Sequence, residues 1–272
     1  MECITRQTHS IPSVTAGNLP QILAAFDIIT LEELRNSDAQ LMSRREKKFL
    51  MTFEQWSSLI SRLTGSYRAL EIKDTRIGRY ETLYYDTESF TTYLQHHNGK
   101  ANRFKLRFRH YCSTDETYLE VKERQNTGRT VKKRMETNGI PELSAKGPKA
   151  FLKSSFPYDS SEFHPVLTTE YSRVTLVSND LRERITFDLC PSFCQNGTTY
   201  SYPGVVVGEI KYDRSLFLSP GLTALRMMGI RKTSFSKYCI GVSLLYNGQK
   251  HNRFKPLQLR LEMLSRGGNT AC

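Results

Sequence analysis

The chain has no run of apolar residues near the eighteen or so that a membrane helix requires; its longest, around Val205–Val207 and Ile240–Leu245, are far shorter. No membrane span is expected. The amino terminus lacks a basic segment followed by an apolar core, so no secretory signal is expected, and the expected location is cytoplasmic. Paired C-x2-C spacing, the mark of a tetrahedral zinc site, is also missing from the six cysteines (Cys3, Cys112, Cys190, Cys194, Cys239, Cys272). Free thiols are the expected state, with loop packing as the role of Cys190 and Cys194. No internal repeat, low-complexity tract or proline-rich linker divides the chain, which reads as one domain.

Acidic residues are the minority among the charges. The 272 residues carry 39 Lys and Arg against 27 Asp and Glu, a net charge of +12. The excess is concentrated: from Gly99 to Arg134 there are eleven basic and four acidic residues. Concentrated charge implies an anionic partner, whereas diffuse charge mainly affects solubility.

This basic segment alternates with the period of a strand. Lys105, Arg107, Arg109 and Tyr111 share one face and Leu106 and Phe108 the other, and Tyr118, Glu120 and Lys122 oppose Leu119 and Val121. Lys132 and Arg134 oppose Val131 and Met135; Tyr171 and Arg173 oppose Val174; Arg184, Thr186 and Asp188 oppose Ile185 and Phe187. Glu209 and Lys211 oppose Gly208 and Ile210, and Arg44, Glu46 and Lys48 oppose Phe49. A sheet with one solvated side explains each strand singly. The enrichment in Arg, suited to bidentate phosphate contacts, favours strands curled into a barrel with charged faces inward and apolar faces under helices. The expected fold is therefore α+β, with an antiparallel barrel.

Helical cover is predicted at Gln21–Leu34, Thr52–Leu63, Leu143–Lys153 and Pro220–Met228, with Thr30 and Glu33 forming a capping box. Residues 1–17 read as a flexible segment, 18–248 as the tunnel domain and 249–272 as a weakly patterned basic tail. Asn196-Gly197-Thr198 reads as a turn, His96-His97 as a solvated turn, and Tyr84, Tyr85 and Tyr171 as sheet packing. Phe104 and Phe108 lie opposite Arg107 and Arg109, which argues against a stacking platform for single-stranded nucleic acid, so no nucleic-acid partner is expected.

Seven segments in order, Arg44-x-Glu46-x-Lys48-Phe49, Tyr84-Tyr85-Asp86-Thr87, Arg107-x-Arg109, Glu120-x-Lys122, Arg184-Ile185-Thr186-Phe187-Asp188, Glu209-Ile210-Lys211 and Ser236-Lys237-Tyr238, resemble the polyphosphate polymerase domain of the vacuolar transporter chaperone (VTC) family. That family belongs to the triphosphate tunnel metalloenzymes, with the CYTH phosphatases and cyclases. The resemblance implies a closed tunnel of about eight antiparallel strands that takes ATP and inorganic polyphosphate with Mn²⁺ or Mg²⁺. It implies catalytic roles for Lys48, Arg107, Arg109, Lys122 and Lys237, and phosphate binding by Lys132, Arg134, Arg173, Arg184 and Lys211. Arg103 and Lys105 are added to the phosphate-binding set from their face and proximity. Glu209, helped by Glu46, Glu120 or Asp188, would hold the metal. Arg44 stands where CYTH enzymes carry the first Glu of Glu-x-Glu-x-Lys, a departure toward the VTC side. The inositol-phosphate-sensing and membrane segments of fungal VTC proteins have no counterpart here, which suggests a free-standing, bacterial-type version, with a membrane partner for export left open. A triphosphate hydrolase and a non-enzymatic polyphosphate-binding module are the alternatives.

Overall fold

The computed structural model describes residues 19–38 and 44–267. The expected segment 1–17, Cys3 and Cys272 lie outside the described residues, as does the side chain of Arg44. In chain order the elements are α1 (Leu19–Ala24), β1 (Asp27–Ile29), α2 (Leu31–Asp38), β2 (Arg44–Thr52), α3 (Phe53–Ser61), β3 (Tyr67–Leu70), β4 (Gly78–Asp86) and α4 (Thr91–His97). There follow β5 (Arg103–Tyr111), β6 (Glu116–Arg124), β7 (Thr130–Thr137), α5 (Lys146–Ser155), β8 (His164–Ser178), β9 (Glu183–Gln195), β10 (Thr198–Ser201), β11 (Val205–Asp213), α6 (Pro220–Met227), β12 (Lys232–Thr233), α7 (Lys237–Leu245) and α8 (Lys255–Gly267).

Period-two alternation dictates a sheet, and one sheet organises the molecule. Its strands run in the order β12-β2-β11-β9-β8-β4-β5-β6-β7, and every pairing along that path is antiparallel. The architecture is α+β as expected, but among the described residues the sheet is not closed by hydrogen bonds. At its last strand the edge is Thr-Val-Lys-Lys-Arg-Met-Glu-Thr, mostly exposed. Edge strands rich in Lys resist further pairing, which accounts for the open seam.

The apolar faces point outward beneath helices. Trp56, Leu59 and Ile60 of α3 and Leu225 of α6 pack with Phe49, Met51, Phe187 and Ile210. Tyr93 of α4, Tyr238 and Ile240 of α7 and Leu261 of α8 cover Leu50, Leu167 and Phe193, while Leu152 of α5 covers Leu106, Phe108, Leu119 and Val121. Thr52 and Gln55 form a reciprocal capping box at α3, and Thr30 with Glu33 does so at α2.

Several expectations are corrected. The helix expected over Gln21–Leu34 is two helices separated by β1, which pairs in parallel with β3 and buries Ile29. His96 and His97 are the last turn of α4, not a solvated turn. That helix is started from a distance by buried Asp86, which accepts the backbone N–H groups of Thr92 and Tyr93 and the hydroxyls of Thr92 and Tyr238. The tail expected from residue 249 contains α8. Leu257, Leu261 and Leu264 bury one of its sides while Leu259 and Met263 stay exposed, so apolar residues on both sides mask its period. Asn196-Gly197 is the hairpin turn between β9 and β10, both residues at positive φ as a tight hairpin requires. Cys112, Cys194 and Cys239 are free, whereas Cys190 is disulfide-bonded.

Helix α7 approaches the sheet so closely that position 241 has no room for a side chain. A Cβ there would run into Leu167 and stand 2.8 Å from Phe193 Cδ1. Gly241→Ala is expected to destabilise the fold by about 1–2 kcal/mol, overpacking exceeding the better helix propensity. Gly248→Ala, which meets nothing within 4 Å, serves as the neutral control in the same denaturant titration.

Candidate active site

The inward faces of β2, β4, β5, β6, β7, β8, β9 and β11 enclose one cavity of about 780 Å³. Both Arg103 and Tyr111 line it, so it runs the length of β5, about 26 Å at 3.3 Å per residue. Its lining holds sixteen Lys and Arg and four Asp and Glu. Every expected basic residue is there: Lys48, Arg103, Lys105, Arg107, Arg109, Lys122, Lys132, Arg134, Arg173, Arg184, Lys211 and Lys237.

The strand register sets the order of these charges. On the wall of β5, β6 and β7, Lys105 stands opposite Lys122 and Lys122 opposite Lys132, three lysines in one row. The next row is Arg107, Glu120 and Arg134. Like charges directly opposite one another on a sheet destabilise it, and among the described residues the row's own strands pair only Lys132, with Glu120, so Lys105 and Lys122 need a counter-charge from elsewhere. Lys105 donates to Ser236 Oγ at 2.6 Å, a neutral partner. Burial, helped by the positive charge of Lys48, pushes the Lys122 ammonium down to about 7, and burial also lowers that of Lys105.

The carboxylates are distributed as props for cations. Glu120, wholly buried, receives Arg107 Nε at 2.8 Å and Lys132 Nζ at 3.1 Å. Asp188 grips Arg173 through two hydrogen bonds and also holds Lys237. Glu209 lies between Lys48 and Lys211, each at 2.9 Å, and Glu46 reaches Lys48 at 3.3 Å. Burial raises the Glu209 carboxyl, but Lys211, Lys48 and Lys122 outweigh it and hold the group well below the usual range. Arg109 has no carboxylate partner among the described residues, and its Nε donates to Thr82 at 3.3 Å. It presents to the cavity a guanidinium that no carboxylate pairs directly, with Glu120 acting on it from the neighbouring strand.

The expected metal set is corrected in its arrangement: among the described residues no three Asp, Glu, His or Cys come together. Glu120 and Asp188 have both carboxylate oxygens occupied by Arg and Lys. Glu46 and Glu209 alone are brought together, through Lys48. Mg²⁺ binds through one or two carboxylates plus substrate phosphates and water, so this pair would take a metal delivered with a triphosphate only as Lys48 and Lys211 release the two Glu209 oxygens they hold.

Sequence reasoning missed part of the lining. Tyr80 and Tyr84 face the cavity from β4, with Thr82 on the same face, and Arg107 Nη1 donates to the Tyr84 hydroxyl at 3.2 Å. Alternation at 80, 82 and 84 was the available signal, but the doubled Tyr84-Tyr85 hides which ring points inward. Tyr85 packs against Phe108, and Tyr171 lies beneath the Arg173 and Lys237 cations at 5.2 and 4.0 Å. His96 also lines the cavity, where burial and then the charges of Lys105 and Arg103 push its imidazolium down to about 2, keeping the ring neutral.

The described residues thus define an α+β fold whose antiparallel strands line a strongly cationic channel. Residues 43–246 match the VTC domain, and the chain belongs to that family. No curated protein matches the sequence. Among solved structures it is similar to a putative adenylyl cyclase from Hippeastrum described as having a dominant triphosphatase activity, at 14% identity and a TM-score of 0.45 over 74% of this chain and 96% of that one. A putative adenylate cyclase from Vibrio parahaemolyticus gives 12% and 0.43 over 73% and 97%, and protein PH1012 from Pyrococcus horikoshii OT3 gives 15% and 0.41 over 72% and 98%.

The ion pairs predict an acid limb of stability. Burial raises the Asp188 carboxyl, but Arg173 and Lys237 outweigh it and bring it down to about 2. A depressed carboxyl stabilises the fold above its unfolded value near 3.9 and loses that contribution as pH falls toward the folded value. Between pH 4 and pH 2 the native protein is expected to lose about 2 kcal/mol more unfolding free energy than Asp188→Asn, read from denaturant titrations at each pH.

Proposed function

We propose that this protein is an ATP-dependent polyphosphate polymerase. The observation that carries the reading is the row Lys105, Lys122, Lys132 facing the cavity, of which only Lys132 is paired, to Glu120, while Lys105, Lys122 and Arg109 have no carboxylate bonded to them among the described residues. A linear polyphosphate supplies regularly spaced negative charge along such a row, and membership of the VTC domain family supports polyphosphate as the anion.

In this reading ATP lies with its triphosphate along the channel. Phosphoryl transfer needs positioning and neutralisation of non-bridging oxygens more than covalent help. Arg107, fixed by Glu120 and Tyr84, and Arg109, fixed by Thr82, hold the γ-phosphate. Lys105, Lys122, Lys132 and Arg134 hold the acceptor chain from one wall, while Arg173, Arg184, Lys211 and Lys237 neutralise charge from the other, with Arg103 extending the path along β5. The terminal phosphate oxygen of the chain bonds to the γ-phosphorus, the β–γ bridge breaks, and ADP leaves with the bridging oxygen. Glu209 and Glu46 would hold Mn²⁺ or Mg²⁺, which supplies charge neutralisation across the phosphates. Lys48, between those carboxylates, keeps them oriented. The domain that carries this activity is proposed to extend over 18–248, as the sequence suggests.

Purified protein incubated with ATP and Mn²⁺ is expected to form long chains on a polyphosphate gel, and Glu209→Ala to abolish them. Orthophosphate release without chains would replace the polymerase with a triphosphate hydrolase. Lys122→Met carries a double expectation. It lowers kcat/KM by at least tenfold, since a charge-assisted phosphate contact contributes about 1.5–3 kcal/mol. The same change leaves the ligand-free fold as stable or more so, because it removes a buried like charge.

A further inference from the structure

Between Arg214 and Leu261 there is no Asp or Glu, while Arg214, Arg226, Arg231, Lys232, Lys237, Lys250, Arg253, Lys255 and Arg260 fall within that stretch. Its first part also carries the two most exposed large apolar residues of the described chain, Phe217 and Met227, with exposed Leu218 beside Phe217. Phe217 is fully exposed (104%), Leu218 is 66% exposed and Met227 74%. A soluble surface far more often tucks such side chains away, and adjacent exposed Phe and Leu indicate contact with something apolar.

The loop that presents them is a built structure. Asp213 accepts the backbone N–H and hydroxyl of Ser215, Arg182 Nη2 donates to Ser215 Oγ at 2.7 Å, and Leu216 packs on the core. Ser219 then caps α6, donating no slack before the helix begins. With both ends fastened, Phe217 and Leu218 are held outward. Met227 lies seven residues from Pro220, on the same side of α6, and exposed Arg214 and Arg226 flank the apolar residues.

We infer that the Phe217-Leu218 loop and the outer side of α6 form a docking surface for an anionic lipid bilayer. Exposed Phe, Leu and Met enter the boundary between headgroups and acyl chains, and the arginines pair with anionic headgroups. An acidic protein partner offers the charge but no fluid apolar layer for a protruding loop tip, and a second copy of this chain brings the same positive charge to the contact. The surface is separate from the cavity, whose lining includes none of Arg214, Phe217, Leu218, Arg226 or Met227.

The test is co-sedimentation with vesicles of phosphatidylcholine alone or mixed with phosphatidylglycerol. The full chain is expected to bind the mixed vesicles and not the neutral ones. The double substitution Phe217→Ser and Leu218→Ser is expected to weaken binding at least tenfold with an unchanged unfolding midpoint. Arg214→Gln with Arg226→Gln is expected to weaken it about thirtyfold, at ~1 kcal/mol per arginine. Lys149→Gln with Lys153→Gln, equal in charge but exposed on α5, controls for net charge. Loss in the loop variants but not in that control supports the surface. Equal binding by the Phe217 and Leu218 variant, equal loss in the control, or no binding to mixed vesicles overturns it. A dimer in sedimentation equilibrium that the serine variant dissolves would assign the patch to a second copy and also overturn it.

Discussion

Positive charge enclosed against positive charge is the constraint on which the rest of the structure depends. A row of lysines on adjacent strands and a ring of arginines around one cavity repel each other, and burial removes the water that would screen them. The fold tolerates this because its carboxylates are placed behind the cations. Glu120 anchors Arg107 and Lys132, Asp188 anchors Arg173 and Lys237, and Glu209 anchors Lys48 and Lys211. Buried Glu120 and Asp188 and partly exposed Glu209 thus position six cations, and the rest of the lining keeps a surplus that only an incoming anion neutralises.

This arrangement inverts the usual half-buried sheet. The polar face is enclosed and the apolar face is outside, so the helices must form a coat in place of a core. Three separate apolar clusters follow from that inversion, each a patch of sheet exterior under its own helices, while a fourth, Ile29, Leu34, Leu70 and Val177, lies beside the cavity, which Leu34 and Leu70 line. The close seat of α7 on Leu167 and Phe193 brings Ser236 and Lys237 to the cavity, where they meet Lys105 and Asp188. Helix packing on the outside therefore fixes charge geometry on the inside.

The channel wall was legible because alternation with period two leaves each side chain only two faces, and Arg and Lys fell repeatedly on the same one. Lys105, Arg107 and Arg109 could be assigned to one face from seven residues of sequence. What was not legible depends on partners far apart in the chain. Nothing local shows that Asp86 caps α4 and also accepts the hydroxyl of Tyr238, or that Glu120 is a prop and not a metal ligand. Closure was overestimated because alternation describes faces and says nothing about edges. The hydrogen-bonding fate of β7 is decided by its exposed Lys132, Lys133 and Arg134. Helix α8 was hidden by apolar residues on its outer side, which carry no information about its packing.

The most direct test of this account is a crystal structure with tripolyphosphate. The account predicts a phosphate chain inside the channel, its oxygens in contact with Lys105, Lys122, Lys132 and Arg109. A channel that stays empty at saturating tripolyphosphate, or an anion held only on the outer surface, would contradict it.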